Sequence, residues 1–373
     1  LLRRVSVRES CAIPDGLIAA RWSVNFVFCD LAVADYSWKS HTYRGSLQLH
    51  MSARSEAISG SAGSRAAFRF GVLTSGFIVL LMMAGALVTS NDAADSVPDW
   101  PLSRGLSSDR FSWLIPPMIG GIRFEYTHRV IAAAVSILVF ILAVLITRTE
   151  KRPLAKKLGW TAFALVIAQA VLGGIRVLYG YPAITATAHA ILGQTFFIAV
   201  VGLTFYLSAW WQKDLPQFDD HVAPTARGMA AWTTGAIFAQ LVLGAAYRHR
   251  LFGLWPHLVG AGVVTVLVVL AGRVVKGRFG DVPELRRAVK FLHMFFGIQI
   301  LLGGLAYWAI VATADYGQPT LTYVIPSVAH VLGGALTLAA SLILTLTCFR
   351  MIRRPVAVTA QPSAVRSGQG VRA

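Results

Sequence analysis

The chain has 373 residues, 55% of them hydrophobic and only 14% charged, with a formal net charge of +17. Apolar runs near twenty residues recur along most of it, which is the length that crosses a bilayer and is too apolar for a soluble domain of this size. The excess Lys and Arg sits in short segments between those runs, where basic residues set membrane orientation, so the charge is not read as nucleic-acid binding.

Residues 1–50 carry no convincing apolar span. Met51 opens a polar lead, "MSARSEAISGSAGSRAAFRF", of the kind that precedes a first membrane helix on the cytoplasmic side. Residues 1–67 are therefore read as a leader, with the native start at Met51 and the preceding stretch disordered or an artefact of the assigned start. Cys11, Cys29 and Cys348 form no CxxC pair, so no disulfide or zinc framework is expected.

Eight spans are predicted, at 70–90, 126–147, 159–178, 185–208, 229–247, 256–274, 289–311 and 323–347. The segments "TRTEKRPLAKKLG", "WWQKDLPQFDDHVAPTARG", "GRVVKGRFGDVPELRRAVK" and "FRMIRRP" carry most of the basic residues, which places both termini in the cytoplasm. The fold class expected is all-α, a polytopic membrane protein.

Internal similarity organises the spans. "AQAVLGG" from Ala168, "AQLVLGA" from Ala239 and "IQILLGG" from Ile298 recur in spans three, five and seven, and Gln169 and Gln299 are 130 residues apart. "ATAHAILGQ" opens span four and "PSVAHVLGG" span eight, while His257 follows His128 by 129 residues. The simplest account is two pseudo-two-fold-related four-helix bundles, 68–208 and 229–350, joined by a cytoplasmic linker, 209–228, and followed by a cytoplasmic tail, 351–373. Gly173, Gly244 and Gly303 are read as letting helix backbones approach closely.

His128, His189, His257 and His330 each fall in the first third of an even-numbered span, two per predicted bundle and at similar depth. A lone imidazole in a membrane is commonly bonded to a neighbouring helix, whereas four in repeat-related positions call for an occupant. Two His on facing helices of a four-helix bundle can hold a heme iron between them. His293 sits at the opposite depth and corresponds to Phe163 in the first half, so it is not expected to be an axial ligand. His249 is read as solvated, and His41, His50 and His221 lie outside any span.

Glu125 stands three residues before His128 in "EYTHR", on the same helix face. It is read either as an interfacial carboxylate paired with Arg129 or Arg123, or as a group poised to take a proton at the edge of whatever His128 ligates. No Glu precedes His257, which suggests chemistry in one bundle and electron transfer in the other. Arg129, Arg176 and Arg248 lie at the level where heme propionates would emerge. Trp113, Trp210, Trp211, Trp255 and Tyr323 are expected in an interfacial belt.

With the first-loop pattern "VTSNDAADSVPDWPLSRG", "EYTHR" and one His on each even-numbered span, residues 68 to 350 resemble the heme A synthase family. The resemblance implies that His128 and His189 take heme O as substrate and that His257 and His330 hold heme b. It implies oxidation of a ring methyl to a formyl group to give heme A, with Glu125 as the catalytic carboxylate. It also implies a multi-pass protein of the bacterial plasma membrane, working with heme O synthase and the cytochrome oxidase assembly machinery, and it leaves room for a homo-oligomer. Some members carry cysteine pairs after "DWP"; Leu102 and Ser103 stand there instead.

Three rivals differ in class. A diheme cytochrome b would pass electrons without altering its heme, yet one His per helix at a single depth serves face-to-face transfer poorly. A secondary transporter would need broken half-helices and midplane acidic residues. The prenyltransferase that makes heme O needs acidic magnesium-binding motifs, and the chain has no DxxxD pattern.

Overall fold

A computed structural model of the protein describes residues 62–101, 118–180 and 183–353. Outside the described residues lie most of the predicted leader, with Met51, Cys11, Cys29, His41 and His50, then Leu102, Ser103 and Trp113 of the first loop, and the tail beyond residue 353. The described chain is helical throughout apart from turns and an isolated parallel bridge between Phe218 and Ile352.

Among the described residues, eight helices are long and apolar enough to cross a membrane. They are α1 (Ala62–Ser90), α2 (Ile122–Thr149), α3 (Pro153–Tyr179), α4 (Ala183–Leu207), α5 (Ala226–Arg248), α6 (Trp255–Phe279), α7 (Pro283–Ala312) and α8 (Leu321–Met351). Each matches a predicted span but most run past it, because the helical hydrogen-bond ladder continues through flanking Lys and Arg that no apolar window counts. Starts and stops follow local chemistry. Pro153, Pro256 and Pro283 sit in first turns, where a missing N–H costs nothing. Thr225 and Thr320 cap α5 and α8 by accepting from Gly228 N and Tyr323 N. Gly180 closes α3 at φ 59°, a left-handed conformation suited to glycine.

The helices pack in two sets. In the first, α1 lies against α2 and α4, and α3 against the same two; in the second, α5 lies against α6 and α8, and α7 against the same two. Ile78, Val139, Val166, Phe196 and Val200 fill the first set, and Val268, Leu285, Leu292, Leu338 and Leu344 the second. Between the sets, α8 touches α1 and α4, and α4 touches α5. Helix α8 is the most buried, and its stretch from Gly333 to Ser341 is largely small residues, which permits close approach on several sides.

Polar ties knit the basic end of the molecule. Glu150, buried after α2, accepts from Ser64 Oγ at 2.6 Å and Arg152 Nε at 2.9 Å. Burial would push its carboxyl up, but the bonds from Arg152 and Ser64 and the Arg152 charge hold it below its ordinary value. In the second set buried Asp220 accepts from Ala226 N at 2.6 Å and Arg278 Nη1 at 2.8 Å. Trp210, expected in an interfacial belt, is instead buried: Ser208 caps the short helix Ala209–Gln212, folding the indole back to stack on Phe205 at 5.1 Å. Trp255 is exposed, as a belt residue should be.

Candidate functional site

The four histidines of the even-numbered helices occupy equivalent seats. Each ring rests on a glycine of the preceding helix: His128 on Gly85, His189 on Gly173, His257 on Gly244 and His330 on Gly303. A Cβ at these glycines would stand 3.1, 3.1, 2.9 and 3.0 Å from the ring Cε1. In every case Nδ1 lies nearer the glycine than Nε2 does. The glycines thus make room for imidazole rings rather than for neighbouring backbones, which corrects the expectation for Gly173, Gly244 and Gly303. Gly85 escaped sequence reasoning; "LMMAGAL" carries it at the place where the other odd-numbered helices read "AVLGG", "LVLGA" and "ILLGG".

In the second set the two rings meet. His257 and His330 have ring centroids 6.1 Å apart and planes at 88°. A metal bound by an imidazole nitrogen at about 2.0–2.1 Å on each side would place the two centroids roughly 6 Å apart. The spacing therefore fits one metal clasped by both rings. His128 and His189 likewise lie within electrostatic reach of one another.

Glutamines back three of the four seats. Gln169 Nε2 donates to the His189 carbonyl at 2.8 Å. Gln240 Nε2 donates to the His257 carbonyl at 2.8 Å and meets His257 Nδ1 at 3.1 Å. Gln299 Nε2 meets His330 Nδ1 at 3.1 Å. The amides rest in turn on glycines of the even-numbered helices, Gly193, Gly260 and Gly333. For His128 the equivalent neighbour is Leu81, which faces it through its backbone as Gln169 faces His189.

His293 sits differently. It packs on Gly272 through its Cε1–Nε2 edge and its Nδ1 bonds its own helix at the Val289 carbonyl, 2.8 Å away. Its seat and its bond to its own helix set it apart from the other four. His249, expected to be solvated, is half-buried after the last turn of α5. Burial, then the Arg248 and Arg176 charges, push it down to about 4.

Glu125, Arg129 and Arg176 converge on the loop 91–101, and Arg248 on the end of α1 that leads into it. Glu125 is buried; its Oε1 accepts from Arg129 Nη2 at 2.6 Å and its Oε2 from Val97 N at 2.9 Å. Arg129 also donates to the carbonyls of Val97, at 2.8 Å, and Asp99. Arg123, the other candidate partner, is exposed with its guanidinium 4.7 Å from the Phe124 ring centroid. Arg176 donates to the Ala94 carbonyl at 3.1 Å and reaches Asp95 at 3.3 Å. Arg248 crosses from α5 to α1, donating to the Ala86 carbonyl at 3.1 Å and Ser90 Oγ at 2.7 Å. Trp100 of "PDWP" covers Gly174, beside the His189 seat. The loop is thus a fixed roof over the first set, its Ala93 and Val97 fully buried.

Comparison with known proteins finds relatives over part of the chain. The COX15-CtaA family model, cytochrome oxidase assembly protein, matches residues 41–201. The chain is 26% identical over 258 residues to the heme A synthase of Symbiobacterium thermophilum, across 61% of this chain and 81% of that protein. It is 33% identical over 138 residues to the heme A synthase of Halalkalibacterium halodurans, across 36% of this chain and 42% of the relative. With that of Shouchella clausii it shares 31% over 183 residues, across 48% and 58%. The last two alignments span about half of those relatives' length.

Proposed function

We infer that this multi-pass membrane chain works as its relatives' name states, since the family-model match and the heme A synthase relatives support membership of the heme A synthase family. The reaction proposed is oxidation of a ring methyl of heme O to a formyl group, giving heme A for cytochrome oxidase. His128 and His189 take the substrate heme O in the first set, 68–208. His257 and His330 hold heme b in the second, 229–350.

The observation that carries this reading is the His257–His330 spacing of 6.1 Å, with Nδ1 of each ring the nitrogen nearer its glycine seat. A neutral imidazole that offers Nε2 to iron keeps its proton on Nδ1, the edge that here faces the neighbouring helix. The residues therefore fit the group. When bound, the porphyrins supply the redox chemistry, and the protein supplies placement and electrostatics.

The chain's own part begins at the roof. Arg129 and Val97 N–H fix the Glu125 carboxylate one helical turn before His128, where it would take protons as the substrate methyl is oxidised. Arg129, Arg176 and Arg248, gathered at the same end, would also receive propionates. His257 and His330 would hold a second heme that offers a path for electrons leaving the substrate. A pseudo-two-fold axis along the membrane normal is supported by the pairings α8–α1 and α4–α5, which such an axis would exchange. The remaining parts of the reading are a bacterial plasma membrane location, cytoplasmic termini, delivery of heme O by its prenyltransferase, and association of copies.

Pigment extraction tests it. Protein purified from cells that make heme O should yield heme b together with heme O or heme A. His257→Ala or His330→Ala should remove heme b, and His128→Ala or His189→Ala the substrate and product. Heme b alone in every preparation would turn the reading to a diheme cytochrome b, and a colourless protein would end it.

A further inference from the structure

The two halves carry the same hairpin at the end of the molecule opposite the four histidine seats, α2 with α3 and α6 with α7. Pro153 and Pro283, 130 residues apart, open α3 and α7, and each is followed by a basic pair, Lys156 with Lys157 and Arg286 with Arg287. Those pairs are what membrane orientation asks for. The second hairpin adds three cations further along its helices. Arg273, Lys276 and Lys290 stand where the repeat has Val144, Thr147 and Trp160 in the first.

The first hairpin shows how these positions relate. Trp160 Nε1 donates to Thr147 Oγ1 at 3.1 Å, and the indole packs with Phe140 and Phe163, ring centroids 6.2 and 5.9 Å away. Positions 147 and 160 thus touch across the hairpin, and 276 and 290 are their counterparts. In the second hairpin a neutral hydrogen bond gives way to two ammonium groups on facing helices, with Arg273 one turn from Lys276 on the same face of α6. Like charges so placed repel unless an anion lies between them. All three residues are exposed. The ion pairs among the described residues engage Arg129, Arg152, Arg176 and Arg278 and none of these three, and Asp281 and Glu284 of the connecting turn make none either.

Beyond the cations the exposed faces are apolar. The stripe on α6 continues from Arg273 through Val269 and Val266, and that on α7 from Lys290 through Met294 and Ile298, at the three- and four-residue spacing of one helix face. A headgroup at the lysines would lead its acyl chains directly onto this surface, whereas a free phosphate would use the charge alone.

We propose that Arg273, Lys276 and Lys290 form a site for a phospholipid with an anionic phosphodiester headgroup, its phosphate between the two lysines and its chains along α6 and α7. The site belongs to the second half, since the first fills the same place with Trp160. The lipid relieves the repulsion within the hairpin and so steadies α7, the least buried of the eight spanning helices.

The test uses the whole chain in neutral detergent. Melting temperature is read against added dioleoylphosphatidylglycerol, dioleoylphosphatidylcholine or inorganic phosphate, and bound lipid is counted by native mass spectrometry. The anionic lipid should raise the melting temperature and stay bound, and the other two should not. Lys276→Thr with Lys290→Trp, which installs the first half's pair, should weaken its binding about 10- to 30-fold. Lys156→Gln with Lys157→Gln removes the same charge from the first hairpin and should leave binding unchanged. Lys290→Glu supplies Lys276 with an anion of its own, so that variant should melt higher than the unaltered chain before any lipid is added, a gain that misfolding cannot imitate. Equal loss of binding in the two double variants would reduce the effect to general attraction by a basic surface and overturn the site. Stabilisation as strong by phosphatidylcholine, or by inorganic phosphate alone, would overturn it as well.

Discussion

Gly174 and Trp100 are in direct contact: a Cβ at position 174 would lie 2.5 Å from the indole Cδ2. One glycine of α3 therefore holds the roof over the first set, and its neighbour Gly173 seats His189.

Gly174→Val should push Trp100 off α3 at an overpacking cost of about 1–3 kcal/mol. Heme b should stay bound, while heme A formation falls and the 91–101 loop becomes open to protease. A loop as resistant as in the wild type would show that Trp100 does not pin it.

Gly244→Val should displace the His257 ring, since even a Cβ there would stand 2.9 Å from Cε1. Heme b content should drop at least several-fold on the same energy scale. Gly262→Val, two turns along in α6 with open space at its Cβ, is the matched control and should leave heme b in place. Equal heme b in both variants would mean that the glycine seat does not fix the ring.

Glu125 is read as a proton-taking group, and its bonds to Arg129 and Val97 make it a clamp as well. Glu125→Gln keeps an acceptor for Val97 N–H and removes the charge. Loss of general-base function should lower heme A formation about 10²–10⁴-fold with the loop still docked. If Gln supports nearly full activity and only Glu125→Ala fails, the residue is a clamp and nothing more.

His249 gives the stability a pH dependence of known sign. Its folded value, about 4, lies below its ordinary 6.5, so on acidification the unfolded chain takes the proton first. The stability it contributes is complete above 6.5 and lost as pH falls from 6.5 toward 4. Melting temperatures between pH 7.5 and 5 should therefore fall less in His249→Gln than in the unaltered protein. Parallel slopes would place the acid sensitivity elsewhere.

Much of this was legible in the sequence because hydrophobic length and basic loops report directly on membrane spans. The positions of His128, His189, His257 and His330 were legible because their spacing repeats. The seats were not. Gly85 lies in "LMMAGALV", where nothing polar marks it, and only the structure matches it to Gly173, Gly244 and Gly303. Trp210 and His249 were misread because sequence shows that a residue follows a helix, not that a capped turn or a neighbouring helix then covers it. Glu125 was read with both partners in view, and the geometry selects Arg129 because the i, i+4 spacing and the loop carbonyls gather on one side.

The reach of Arg248 bears on what a half-molecule could do. Its guanidinium starts four residues after Gly244 and ends on Ala86, next to Gly85, so one side chain runs from beneath one imidazole to the shelf of another. Four-helix fragments made as separate polypeptides would each expose one end of that strut to lipid. Neither should mature alone, and reuniting them should restore both.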